Sequence, residues 1–140
     1  MPKLLGIDYG SKRIGLALTD EMQVIGSPWK TISPQEFWLE INKIITQERI
    51  EAIVVGIAFH RDGNASETTL LQRDFIKRLK KTFPSITIQE VDERNSSKMA
   101  AQTIHQLELG KKKRTDKSIT DKISAAIILQ RYLESRQRQG

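Results

Sequence analysis

The 140-residue chain has no cysteine. That excludes a disulfide framework and a thiolate zinc site. No apolar run approaches the roughly 20 residues needed to cross a bilayer as a helix. The apolar stretch after Met1-Pro2-Lys3 is too short for the h-region of a secretory signal. A cytoplasmic protein without membrane contact is therefore expected. The chain also lacks internal repeats, low-complexity linkers and a row of aromatics on which single-stranded bases would stack. Trp29 and Trp38 read as core residues, and His60 and His105 are too far apart to form a metal-ligand pattern.

What the chain does have is positive charge, unevenly placed. The formal net charge is +6, and from His105 to Gly140 there are nine Lys or Arg against four Asp or Glu. Nearly all the excess thus lies in the last quarter. It is either a solvated basic face or a phosphate-binding footprint, and charge alone does not choose.

The apolar runs at 4–8 and 14–19 are separated by Tyr9-Gly10-Ser11-Lys12, which predicts an antiparallel hairpin. A third short strand is expected near 24–27. Ser33-Pro34-Gln35-Glu36 is a helix start, with serine as cap, proline at the first position and glutamate three after the cap. Phe37, Ile41, Ile44 and Ile45 continue it at helical spacing. Ala52 to Gly56 reads as a buried parallel strand. A second helix is expected over about 66–83, with Leu71, Phe75 and Leu79 among its apolar positions and Pro84 ending it. Another strand follows at 86–91, then a helix at 96–109 capped by Gly110. A basic loop covers 111–119, and a last helix runs from about 120 to 135. This order predicts a single α/β domain whose sheet mixes a hairpin with parallel strands.

Three acids follow or head apolar elements. Asp8 ends the first strand, and Asp92 follows Ile86 and Ile88 in alternation. Asp121 heads a stripe of Ala125, Ile128 and Tyr132 on the last helix, where the small Ala125 and Ala126 permit close approach to the sheet. Singly, each has a plain reading as a turn residue, a helix-start charge or a partner for Arg94. Jointly they sit where strand ends bind ligands in α/β sheets. Converging carboxylates need a cation to stay ionised, and Mg²⁺ or Mn²⁺ suits oxygen donors. Such ions can activate water and stabilise the leaving oxygen of a phosphodiester.

The segments Gly-Ile-Asp-Tyr-Gly-Ser-Lys-Arg-Ile-Gly-Leu-Ala (6–17), Val-Val-Gly (54–56), Asp-Gly (62–63), Asp-Glu-Arg (92–94) and Asp-x-x-x-Ala-Ala-x-x-Leu-Gln-x-Tyr-Leu (121–133) run in order through almost the whole chain. Together they resemble the YqgF family, whose members are described as pre-16S rRNA nucleases or Holliday-junction-resolvase-like proteins of bacteria. The resemblance implies an RNase H-like fold with a mixed five-stranded sheet flanked by helices. It also implies Asp8, one acid of the Asp92-Glu93 pair and Asp121 as catalytic, metal-binding residues. Alternation from Ile86 and Ile88 favours Asp92 over Glu93. Three departures stand out. Gly56-Ile57-Ala58 replaces the family's Gly-Leu-Pro, and Asn95 replaces an apolar residue after Arg94. Ser118 stands where junction resolvases of this fold carry a fourth acid.

The expected activity is metal-dependent nuclease action on precursor rRNA, or on branched DNA. Lys12, Arg13, Arg94, Lys111, Lys112, Lys113, Arg114 and Lys117 are expected to contact phosphates, giving affinity without sequence specificity. A monomer or weak homodimer is expected. One rival reading is a nucleic-acid-binding factor with a vestigial site. Another is an actin-like phosphotransferase, which would need a second lobe that 140 residues do not provide.

Overall fold

The structure is a computed structural model that describes residues 2–60, 62–93 and 117–139. Strands β1 (Lys3–Tyr9) and β2 (Ile14–Thr19) form the expected hairpin, its turn closed by the Gly10 N–H donating to the Arg13 carbonyl at 2.9 Å. Strand β3 (Gly26–Ile32) begins later than the sequence suggested. Val24 and Ile25 are apolar but 50% and 60% exposed, because they belong to the turn. There the Asp20 carboxylate accepts from the N–H groups of Met22, Val24 and Ile25, which takes those donors from any ladder. Those same bonds hold the Asp20 carboxyl below its ordinary range. Pro28 is tolerated in β3 because the strand lies at the sheet edge.

Helix α1 (Pro34–Gln47) starts as predicted, with Ser33 Oγ accepting from the Glu36 N–H at 3.1 Å. Strand β4 (Ile50–Ile57) is buried along almost its whole length. Helix α2 (Glu67–Thr82) opens on a capping box between Ser66 and Thr69 and buries Phe75, Ile76 and Leu79. Leu71, another apolar position of this helix, is 47% exposed. After β5 (Thr87–Asp92), the predicted helix at 96–109 lies outside the described residues. The final helix, α3 (Lys117–Gln139), is longer than the expected 120–135, so Asp121 stands a full turn in rather than at its head.

The sheet order is β3-β2-β1-β4-β5, with β1–β2 and β2–β3 antiparallel and β1–β4 and β4–β5 parallel. Both faces are covered. Leu5, Ile7, Ile53, Val55 and Ile57 face α1 and α2, where Phe37, Ile41, Phe75 and Leu79 complete the core. Trp29 and Trp38 pack at the margin of this core, half-buried, with the Arg78 guanidinium 3.7 Å from the Trp38 ring centroid. Leu4, Ala17, Ala52 and Val54 face α3, meeting Ala125, Ile128, Leu129 and Leu133. Asp8 is in phase with Leu4 and Gly6, so alternation puts it on the α3 face.

Helix α3 lies unusually near the sheet because the opposing positions are glycines. A Cβ on Gly15 would collide with the backbone carbonyl of Asp121, and one on Gly6 would stand 2.9 Å from Leu129 Cβ. The obstacle at Gly15 is main chain, so relief requires the start of α3 to lift. Gly15→Ala is therefore expected to destabilise the fold by about 1–3 kcal/mol, the usual range for overpacking. The urea midpoint measures it, and a midpoint unchanged from wild type would contradict this packing.

Candidate active site

The carboxyl ends of β1, β4 and β5 lie side by side, and the acids meet there. Asp8 is one residue from the end of β1 and opposite Gly15 in the hairpin register. Two strands away, Glu93 follows β5, with its N–H donating to the Ile57 carbonyl at 2.9 Å. It reaches Asp8 across β4 because the intervening position is Gly56. A Cβ there would stand 2.8 Å from Glu93 Oε2 and 3.0 Å from Glu93 Cβ. The side chain of Glu93 is thus laid over a strand that offers it no obstruction.

Asp92 points the other way. It pairs in register with Ile57, whose side chain belongs to the α1/α2 face, and it is exposed. Glu93 is 9% exposed. This reverses the orientation expected from the sequence. Alternation with Ile86 and Ile88 correctly identified an apolar face, but it is the face opposite Asp8. In a sheet covered on both sides, phase with an apolar residue does not say which cover the residue meets. Phase with Val91, which packs against the α3 core, would have pointed to Glu93.

Asp121 comes from α3. Its Oδ2 accepts from Arg13 Nε at 2.6 Å, linking the helix to the hairpin turn across 108 residues of chain. Both groups keep some solvent contact, so the pair's chief effect is to orient the carboxylate rather than to add much stability. Arg13, expected on phosphate, is therefore also a partner of the third acid. Lys12 is exposed in the same turn, and Lys117 is exposed one helical turn before Asp121. Arg94, Lys111, Lys112, Lys113 and Arg114 lie outside the described residues.

The Asp8 carboxyl is pushed up from 3.8 to about 9. Burial is the largest cause, followed by the charge of Glu93, a hydrogen bond with Glu93 and the charge of Asp121. Asp8 therefore holds a proton at neutral pH, which relieves part of the crowding. Among the described residues, no three His, Cys, Asp or Glu form a ready-made ion cluster. Asp121 is turned to Arg13, while Asp8 and Glu93 lie close enough to act on each other's charge. The donor set nevertheless fits a hard divalent cation, being all carboxylate oxygen and short of positive charge on the Asp8–Glu93 side. A cation there would take the place of the proton.

Two further residues complete the site. Gln72, buried on α2, donates from Nε2 to Glu93 Oε1 at 2.5 Å. Tyr9 stacks on Phe75 with ring centroids 4.4 Å apart and closes the α2 side. Neither carries a sequence signal of its own, because glutamine on a helix and tyrosine after a strand are common. An open cleft of about 280 Å³ lies over Asp8 and Asp121, lined also by Tyr9, Lys12, Arg13 and Leu71 among others. One wall is cationic and the floor is acidic, an arrangement suited to a phosphodiester with a bridging cation.

Comparison with known proteins agrees with this architecture. A protein of Flavobacterium psychrophilum named "Putative pre-16S rRNA nuclease" is 42% identical over 133 residues, covering 95% of this chain and 97% of that protein. A protein of the same name from Flavobacterium johnsoniae is 40% identical over 136 residues, covering 97% and 99%. Among solved structures, Thermus thermophilus RuvC in complex with Holliday junction substrate superposes with a TM-score of 0.56 at 16% identity, covering 98% of this chain and 96% of that one. The yeast mitochondrial Holliday junction resolvase Ydc2 gives 0.59 at 11% identity, covering 98% and 80%. These likenesses show the RuvC-type, RNase H-like fold. The family model of RuvX, Holliday junction resolvase, matches residues 2–135. The chain belongs to the RuvX family.

Proposed function

We propose that this protein is a divalent-metal-dependent nuclease that hydrolyses phosphodiester bonds in precursor 16S rRNA, in the cytoplasm, with Asp8, Glu93 and Asp121 as its metal-holding acids. The observation that carries the reading is the meeting of Asp8 and Glu93 over Gly56, with Asp121 close enough for its charge to act on Asp8. The names of the relatives at about 40% identity support the RNA substrate. A second reading, cleavage of branched DNA, is favoured by the family's own description and by the likeness to junction resolvases.

Mg²⁺ or Mn²⁺ held by the acids would supply an activated water and stabilise charge on the phosphate and the leaving oxygen. The chain's own groups do the rest. Asp8 and Glu93 present oxygen donors from rigid strand ends. Lys12, at the cleft rim, is placed to take a neighbouring phosphate, and Arg13 is placed to do so once it turns from Asp121. Asp92, on the far face, contributes nothing to the reacting atoms in this reading.

Asp8→Asn and Glu93→Gln are each expected to lower the rate by about 10²-fold or more, whereas Asp92→Asn stays near wild type. The assay is cleavage of precursor rRNA and of a four-way junction, side by side, with and without added metal. Cleavage of the junction alone would transfer the proposal to DNA. Binding without cleavage of either would make the protein a nucleic-acid-binding factor. Undiminished cleavage by Asp8→Asn would remove the site altogether.

The Asp8 carboxyl also predicts a pH dependence. In metal-free protein it stays protonated until about pH 9, while in the unfolded chain it ionises near 3.8. The folded state binds more protons in that window, so its stability is greatest at the acid end and falls as pH rises. Urea midpoints at about pH 5 and about pH 8, with chelator present, should show this fall in wild type and a smaller one in Asp8→Asn. Parallel pH profiles for the two proteins would count against the buried acid.

A further inference from the structure

Gln72 makes more contacts with the strand ends than its place on a helix requires. It is 1% exposed and comes from the second turn of α2. Its Oε1 accepts from the Ala58 N–H at 2.7 Å. Its Nε2 donates to Glu93 Oε1 at 2.5 Å and, at 3.4 Å, to the carbonyl of Tyr9. An amide could in principle sit either way round. Here the Ala58 N–H can only donate, so Oε1 must face it and Nε2 must face the carboxylate. One neutral side chain therefore touches the ends of β1 and β4 and the acid that follows β5.

The bonds form a closed circuit. Glu93 is joined through its N–H to Ile57, the next residue, Ala58, is joined to Gln72, and Gln72 returns to the Glu93 carboxylate. Gly56 has no side chain to hold the carboxylate, and the neighbour that shares the space above it, Ile128 Cδ1, is apolar and offers no hydrogen bond. The Gln72 donor fixes one oxygen, Oε1, and leaves Oε2 over Gly56. A lysine or arginine could also orient Glu93, but it would bring a positive charge that competes with a cation.

We propose that Gln72 is a positioning residue that sets the Glu93 carboxylate for the metal and so for the reaction, an inference that rests on the role of Glu93 given above. A purely structural role is the alternative, since Gln72 also ties α2 to the end of β4. The structure contains a control for it. Thr69, one turn earlier and fully buried, donates from Oγ1 to the Ala58 carbonyl and makes the same α2–β4 tie without touching Glu93.

The experiment measures Mn²⁺ affinity by calorimetry without nucleic acid, then kcat and KM on precursor rRNA, for wild type, Gln72→Met, Gln72→Asn, Thr69→Val and Glu93→Gln. Gln72→Met, similar in volume but without the amide, is expected to weaken Mn²⁺ binding by about 10–100-fold, the range for outer partners of metal ligands. Its kcat should fall comparably, with KM changed by less than about twofold. Gln72→Asn keeps an amide but is one methylene too short to span both partners, and it should show the same split if the methionine variant fails to fold. Thr69→Val should lose stability while its folded fraction binds Mn²⁺ and turns over as wild type does.

Adding Gln72→Met to Glu93→Gln should cost little more than Glu93→Gln alone, because the two act as one unit. Wild-type Mn²⁺ affinity and kcat in both Gln72 variants would overturn the proposal, as would an equal loss in Thr69→Val. If Glu93→Gln itself binds and cleaves normally, the assignment of Glu93 fails first. If only Glu93→Gln is impaired, that assignment stands and the inference about Gln72 falls.

Discussion

The close seating of α3 on the sheet is the constraint from which the rest of the site follows. Gly15 lets the backbone of Asp121 rest against β2, and Gly56 opens the lane in which Glu93 crosses β4. With side chains at these positions the helix would stand off, Asp121 would leave the reach of Arg13, and Glu93 would be pushed away from Asp8. Glycine in a strand interior ordinarily weakens it. Here that loss is offset by burial of Leu4, Val54, Ile128 and Leu129 between helix and sheet.

The same packing sets the electrostatics. Asp8 is surrounded closely enough that burial, more than any single neighbour, raises its pKa, and the charges of Glu93 and Asp121 raise it further. Among the described residues, the cation that pairs with these acids is Arg13, on Asp121, and it serves the outermost member of the group. The inner pair is left with a proton and a neutral donor, Gln72. A site arranged in this way favours a small, hard cation over a bulky organic one, and favours it more as pH rises and the Asp8 proton is lost.

Much of this was legible in the chain itself. The β1–β2 hairpin, the Ser33 cap and the buried β4 follow from local rules that the structure obeys, and Asp8 and Asp121 were marked by the apolar elements beside them. The choice between Asp92 and Glu93 was not legible from phase with Ile86 and Ile88, because both faces of β5 meet covering elements. The start of β3 was misplaced because Val24 and Ile25 look like strand residues, whereas Asp20 captures their N–H groups for a turn. Gln72 was invisible for a different reason. Its meaning depends on three strand ends brought together by the fold, and no periodicity within α2 records that.

In the proposed function Asp8 and Glu93, rather than Asp92, hold the cation. A crystal structure of the protein soaked in Mn²⁺, with the ions located by their anomalous scattering, tests it most directly. The expected density touches the carboxylates of Asp8 and Glu93 over Gly56, with Asp121 turned towards it and Asp92 on the opposite face. Manganese bound at Asp92, or absent from the Asp8–Glu93 pair at saturating concentration, would contradict it.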